Sequence, residues 1–260
     1  MDLHDYIDVA ENYDNYLSVM FVNDDGFKDF YLNLAEEYGE NGIIDIACGT
    51  GAVLLNLAEN GFDIDGTDLS DAMVQVAKKK ADEKGLKLNI FASNMTDFQS
   101  TRKYSLAIIA RSGFMHLVTS DLQRKALVNI RNNLLPNGVL TLNTFTPHIE
   151  TQFKQVNTTP GDYSLRLEYI NVDGKKERIY NAISYNPETQ IMFGNWKFET
   201  LDENGEVIDT RIRPLQMRQT YKTEMEYLIE LSGFEIMNVY GDYYKNPASL
   251  GGLIWVLRRA

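Results

Sequence analysis

Along the first 146 residues the apolar positions switch repeatedly between continuous short runs and a 3.6-residue period. Phe27, Phe30, Leu34 and Tyr38 recur at helical spacing and Gly39 follows as a cap, which predicts a helix leading into the first strand. The run Ile43-Ile44-Asp45-Ile46 predicts a buried strand, the stretch from Val53 a helix stopping at Gly61, and "FDIDGTD" a second strand ending at Asp68. Ser70 is placed to cap a helix running to Gly85. "LNIFAS", "YSLAIIA" and "VLTLNTF" predict the third, fourth and fifth strands. Between the last two, Ser120 and Gln123 stand at capping-box spacing ahead of a helix through Leu127, Ile130 and Leu134. Single helices between strands call for a parallel sheet covered on both faces, because each crossover helix must bury its apolar stripe.

After residue 146 the helical period disappears. Asp173-Gly174, Asn186-Pro187 and Asn204-Gly205 mark turns between period-two runs such as Leu165, Leu167 and Tyr169, predicting a meander of about four antiparallel strands. Thr223 and Glu226 form a second capping box, opening a helix that Gly233 closes. "FEIMNVYGDYY" and "GGLIWVLRR" are two last strands whose short connection leaves no room for a crossover helix, so they pair antiparallel. The expected fold is α/β: a doubly wound, mostly parallel seven-stranded sheet with helices on both faces and an antiparallel last strand, plus an inserted antiparallel β meander. Residues 1–150 and 219–260 form the main domain in this reading, and 151–218 the insert.

Composition narrows the chemistry. A formal net charge of −12 over 260 residues works against unaided binding to nucleic acid or an anionic membrane, so neither is expected as a partner. A single cysteine, Cys48, excludes an intrachain disulfide and a Cys-built zinc site, and no metal is expected. The first residues carry neither a basic n-region nor an apolar h-region, and no run of about 18 apolar residues occurs, which points to the cytoplasm.

The stretch "IIDIACGTG" turns a strand through glycines into a helix. A phosphate-binding P-loop would need Lys-Ser/Thr after its last glycine, where Ala52-Val53 stands. A dinucleotide fingerprint would need a third glycine where Leu54 stands. What remains is an acid two residues before a small-x-Gly-x-Gly turn. That pattern resembles the first motif of class I S-adenosylmethionine-dependent methyltransferases, with Ala47 in place of the usual first glycine. The resemblance covers residues 13–147 and 221–258. It implies S-adenosylmethionine as cofactor, with the main chain at Ala47, Cys48, Gly49 and Gly51 close to its amino-acid end and Asp45 toward its ammonium group. It places Asp68, with Leu69 beside it, on the ribose hydroxyls, since two carboxylate oxygens accept two O–H donors. Asn94 and Met95 in "ASNMTDF" fall beside the adenine, although Met95 fits the core equally well.

The segment "SGFMHL" resembles glycine N-methyltransferase-type enzymes, and "YDNY" resembles the same group's N-terminal tyrosines that reach cofactor or substrate. Tyr13 and Tyr16 are therefore either ligand-binding residues or packed aromatics. His116, following the strand-four exit, and His148, after strand five, are candidate general bases, each with a structural histidine as its rival. Arg111 would bind a carboxylate of cofactor or substrate, or pair with a nearby acid. The meander, with Tyr185, Phe193, Trp196 and Phe198, would pack as ordinary core, wall a substrate site or meet a second subunit as a homodimer. The activity this implies is methyl transfer to nitrogen or oxygen of a small molecule, nitrogen slightly favoured; a non-catalytic cofactor-binding sensor is the alternative.

Overall fold

The computed structural model describes residues 10–21, 26–145, 149–156, 161–248 and 251–260. In chain order the elements are α1 (Tyr13–Met20), α2 (Phe27–Tyr38), β1 (Ile43–Ile46), α3 (Ala52–Glu59), β2 (Ile64–Asp68), α4 (Asp71–Glu83), β3 (Ile90–Ala92) and β4 (Tyr104–Ile109). A 3₁₀ turn (Gly113–His116) follows, then α5 (Ser120–Asn133), β5 (Leu134–Phe145), α6 (Ile149–Val156), β6 (Ser164–Ile170), β7 (Lys176–Asn186), β8 (Ile191–Leu201) and β9 (Val207–Arg218). The chain closes with α7 (Lys222–Leu231), β10 (Phe234–Tyr240) and β11 (Gly252–Arg259).

These elements fall into two units, one built from Met1–Ala10, Asp25–Thr146 and Thr220–Ala260, the other from Glu11–Asp24 and Pro147–Gln219. The larger holds a seven-stranded sheet in the order β10-β11-β5-β4-β1-β2-β3. All neighbours from β5 through β3 run parallel, while β11 is antiparallel to both β5 and β10. Strand parity divides the core into two layers. Ile43, Leu106, Ile108, Val139, Ile254 and Val256 pack with Leu34 of α2, Leu54 of α3 and Val74 of α4. Their neighbours Ile44, Ala107, Ile109, Leu140 and Trp255 pack with Leu127 of α5 and Ile229 of α7. Alternating side chains on strands buried on both faces demand this double covering. The chain moves from β1 outward through β2 and β3, then returns to lay β4 and β5 on the other side of β1. The strand order therefore reverses between β1 and β4, and ligands of such sheets bind outside the carboxyl ends of the strands at that reversal.

The smaller unit is a four-stranded antiparallel meander in the order β6-β7-β8-β9, as expected, but it also owns α1. Tyr16, 7% exposed, sets its ring edge-on to Tyr169 and Phe198, and Asn12 Oδ1 accepts from the Val172 N–H at 2.8 Å. The expected division put all of 1–150 in the main domain and only 151–218 in the insert; the described residues 11–21 and 149–150, with Gln219, group with the meander instead. Inside that unit Glu177 is 1% exposed and accepts hydrogen bonds from Tyr169, Asn171, Thr200 and Arg211.

Two helix starts also differ from expectation. Thr119, not Ser120, caps α5, its Oγ1 accepting from the Leu122 N–H at 3.2 Å; Gln123 instead exchanges hydrogen bonds with the Thr220 hydroxyl. At α7 the cap position is Tyr221, without a side-chain cap, and Thr223 lies inside the first turn. Ser70 does cap α4 through the Met73 N–H, at 3.4 Å.

Candidate functional site

The reversal point is lined by two turns: residues 47–51 after β1 and residues 110–116 after β4. The first turn bends sharply. Ala47, Gly49 and Gly51 take φ of 56°, 56° and 92°, the left-handed region. Glycine enters it freely, whereas alanine pays for its Cβ, so Ala47 carries strain on the order of 1–2 kcal/mol. The turn is held by Gly51 N–H to Cys48 C=O (2.9 Å), Cys48 N–H to Thr67 C=O (3.0 Å) and Lys80 Nζ to the Thr50 carbonyl (3.2 Å). Cys48 is buried and its thiol is pushed up by burial and by Asp45 and Asp68, which suits a turn residue rather than a nucleophile.

Leu54 does take the place of a third glycine, and the strand beneath it compensates. Gly66 of β2 has no side chain where Leu54 lies: a Cβ there would meet Leu54 Cδ2 at 2.6 Å and Cys48 Sγ at 3.3 Å. A glycine inside a strand signals such a close approach, and this one was readable in "IDGTD".

Asp45 shares its sheet face with Ile43, under α3, and is 1% exposed. Its Oδ2 accepts from the Leu54 N–H at 3.1 Å, while Oδ1 is buried without a hydrogen-bond partner. Burial raises its pKa to about 8, partly offset by the Leu54 N–H and reinforced by the negative field of Asp68. Asp68 sits at the end of β2, where Oδ2 accepts from Gly49 N–H (2.8 Å) and Oδ1 from Ser70 N–H (2.9 Å). Burial raises its pKa as well, against the pull of the Ser70, Gly49 and Leu69 N–H groups. A carboxylate has about four acceptor sites, so each oxygen keeps capacity for another donor. Leu69 is half-buried beside it. The strand-three exit joins here through Ser93 N–H to Asp68 C=O, at 2.8 Å. Asn94 Oδ1 accepts from the Thr96 N–H at 2.9 Å and so shapes its own turn, and Met95 is half-buried against the α5/α7 core layer.

The second turn is strained too: Arg111 and Ser112 have φ of 49° and 62°. The Arg111 guanidinium lies over the Phe27 ring, 4.3 Å from its centre. Gly113 meets the first turn, since a Cβ there would stand 3.0 Å from Ala47 Cβ. Met115 Sδ accepts from the Phe145 N–H at 3.4 Å, tying the 3₁₀ turn to the end of β5 and placing half-buried His116 at the strand-four exit. His148 lies outside the described residues. Tyr13 and Tyr16 belong to the smaller unit, where their rings meet edge-on 5.2 Å apart. Sequence reasoning overlooked a polar link at the end of β5: Tyr31 O–H donates to Asn143 Oδ1 at 2.7 Å, and Asn143 Nδ2 to Tyr243 Oη at 3.4 Å.

Among the described residues no group of three or more His, Cys, Asp or Glu gathers as a metal site, and no helix is long and apolar enough to cross a membrane. The acceptors at the first turn suit a cationic nucleoside ligand. Asp45 offers a buried oxygen with no partner, Asp68 offers spare lone pairs, and the glycines bring backbone close.

Residues 43–138 match the protein family described as "Methyltransferase domain". A putative methyltransferase of Geobacillus sp. is 29% identical over 119 residues, covering 45% of this chain and 48% of that one. A glycine/sarcosine N-methyltransferase of Parasynechococcus marenigrum is also 29% identical over 119 residues, covering 44% and 41%. The alignments thus span less than half the length of these two relatives. A crystal structure of a S-adenosylmethionine-dependent methyltransferase from Clostridium acetobutylicum superposes with a TM-score of 0.80 at 18% identity, over 97% of this chain and 98% of that one, and so shares the fold. Residues 43–138 thus match a methyltransferase domain, and the sheet order is that of the fold shared with the S-adenosylmethionine-dependent neighbour.

Proposed function

We propose that the protein moves the methyl group of S-adenosylmethionine to a nitrogen or oxygen of a small molecule, with nitrogen favoured. One observation carries the reading: a buried acid with an unpartnered oxygen, Asp45, stands beneath a glycine turn whose neighbour Asp68 retains acceptor capacity. The cofactor supplies a methyl already activated on a positive sulfur. What remains for the chain is to hold it, align the acceptor and exclude water. Asp45 and the turn hold the amino-acid end, Asp68 the ribose, and Asn94 and Met95 flank the adenine. The exit of β4 faces the transferred group, where His116 takes a proton from an acceptor that arrives protonated. Preference for nitrogen rests on "SGFMHL" and on the relative described as a glycine/sarcosine N-methyltransferase.

Calorimetric titration with S-adenosylmethionine and with NADH is the first test; binding of NADH alone would end the proposal. A labelled-methyl screen across amines, hydroxy compounds and carboxylates then defines the acceptor. Tight cofactor binding with no turnover across the panel would make the protein a sensor of the cofactor instead. His116→Ala is expected to slow transfer while leaving cofactor affinity within about twofold.

A further inference from the structure

Two acids of this protein are equally buried, at 1% exposure, and their surroundings could hardly differ more. Glu177 accepts from Tyr169, Asn171, Thr200 and Arg211. Burial pushes its carboxyl up, yet those hydrogen bonds and the Arg211 charge hold it below the ordinary glutamate value. Asp45 has one donor, the Leu54 N–H, and an Oδ1 with none. A carboxylate removed from water with a single hydrogen bond is poorly compensated, so the neutral acid is the form that this site holds.

Apart from the Leu54 N–H, the described groups that act on Asp45 do not favour the anion. Asp68, from β2, is a second acid, and the Cys48 thiol in the turn is driven toward its neutral form. Lys80, from α4, places its ammonium on the Thr50 carbonyl, and Arg111, from the exit of β4, stacks on Phe27. Among the described residues, the Leu54 N–H of α3 is the contact that moves Asp45 toward ionisation.

We propose that the turn takes up S-adenosylmethionine with loss of the Asp45 proton, coupling cofactor binding to proton release. This rests on the cofactor assignment above. The cofactor's amino-acid end brings an ammonium toward Asp45 and its sulfonium adds a second positive charge. An opposite charge nearby favours the anion, and the unpartnered Oδ1 is the acceptor for the ammonium, directly or through a water. The O–H bond of the carboxyl breaks, the electron pair stays on oxygen and the proton passes to buffer. No other group changes its bonding. The consequence is an affinity that rises with pH, by up to about tenfold per unit, from acid pH to about pH 8.

The test is isothermal titration calorimetry of the full chain at pH 7 in phosphate and in Tris, whose different ionisation heats report protons exchanged. With the Asp45 pKa raised to about 8, S-adenosylmethionine is expected to release most of a proton per site. S-adenosylhomocysteine, which keeps the ammonium, should release a similar fraction. Methylthioadenosine, which lacks the amino-acid end, should bind without release. Asp45→Asn keeps an acceptor for the Leu54 N–H but loses the charge, and should bind the cofactor more weakly, with the release abolished and with affinity independent of pH from 6 to 8. Should the asparagine variant fail to fold, the contrast between S-adenosylhomocysteine and methylthioadenosine on the unmodified chain decides. Cofactor binding with no release, or equal release by methylthioadenosine, would overturn the coupling and leave the cofactor assignment standing. Absence of cofactor binding would overturn both.

Discussion

Gly66→Ala is the most informative single change outside the ligand's reach, because it tests how the chain does without a third glycine in its turn. The added Cβ would lie 2.6 Å from Leu54 Cδ2 and 3.3 Å from Cys48 Sγ, where carbon atoms prefer about 3.5–4.0 Å. Leu54 is 0% exposed and packed against α2 and β1 side chains, so it has no free space into which to swing. Strand and helix must therefore part by roughly 1 Å or Leu54 must leave its rotamer, an overpacking cost of about 1–3 kcal/mol. Leu54→Ala alone should cost about 2–5 kcal/mol through the cavity it leaves. Combined, the two changes should cost less than their sum by at least 1 kcal/mol, since the alanine at 66 grows into the space that Leu54 vacates. Urea denaturation of the four proteins measures the cycle. Calorimetry with S-adenosylmethionine should show weaker binding in Gly66→Ala alone, because α3 starts in the turn that meets the cofactor. A neutral Gly66→Ala, or a double variant additive within about 0.5 kcal/mol, would refute the packing account.

Other consequences concern the same turns. Asp45 has a folded pKa of about 8 against 3.8 for the free group, so the folded protein keeps the proton that the unfolded chain loses. Its contribution to stability is therefore lost as pH rises from about 4 to 8 and is level above, by at most roughly 6 kcal/mol. Thermal unfolding of the cofactor-free chain should show Asp45→Asn gaining on the parent across that window, and a constant difference from pH 5 to 8 would contradict this. Ala47→Gly removes the left-handed alanine but enlarges the freedom of the unfolded chain; the balance is a gain of about 0.5–1 kcal/mol, and a loss of that size in urea midpoint would count against strain at Ala47. Tyr31→Phe strips the 2.7 Å donor from buried Asn143 Oδ1 and should cost about 1–2 kcal/mol by the same measurement; no loss would mean that another donor replaces it.

Much of this protein could be read along the chain. The strands β1 to β5, the antiparallel pair β10 and β11, the meander and the Ser70 cap all follow from local periodicity and turn chemistry, which act over a few residues. The first turn was legible for the same reason: an acid, a small residue and two glycines at set spacing permit only a few backbone paths. Helices α1 and α6 were not marked out, because each has only eight residues, about two turns, too short for apolar positions at helical spacing to stand out as a period. The cap of α5 differs for another reason. Gln123 had a stronger partner 97 residues away in Thr220, and a reciprocal pair of buried hydrogen bonds outweighs a local capping box.

What the sequence by itself determined is therefore the order of elements and the presence of Asp45, Gly49, Gly51 and Asp68 at strand ends. Tertiary structure alone decided that Gly66 makes room for Leu54, that Tyr16 packs with the meander, and that Asp45 is enclosed with one oxygen unpaired. Spacing along a chain constrains backbone conformation, but burial, close approach and an unmet hydrogen bond are properties of what other segments bring alongside. No local pattern carries them.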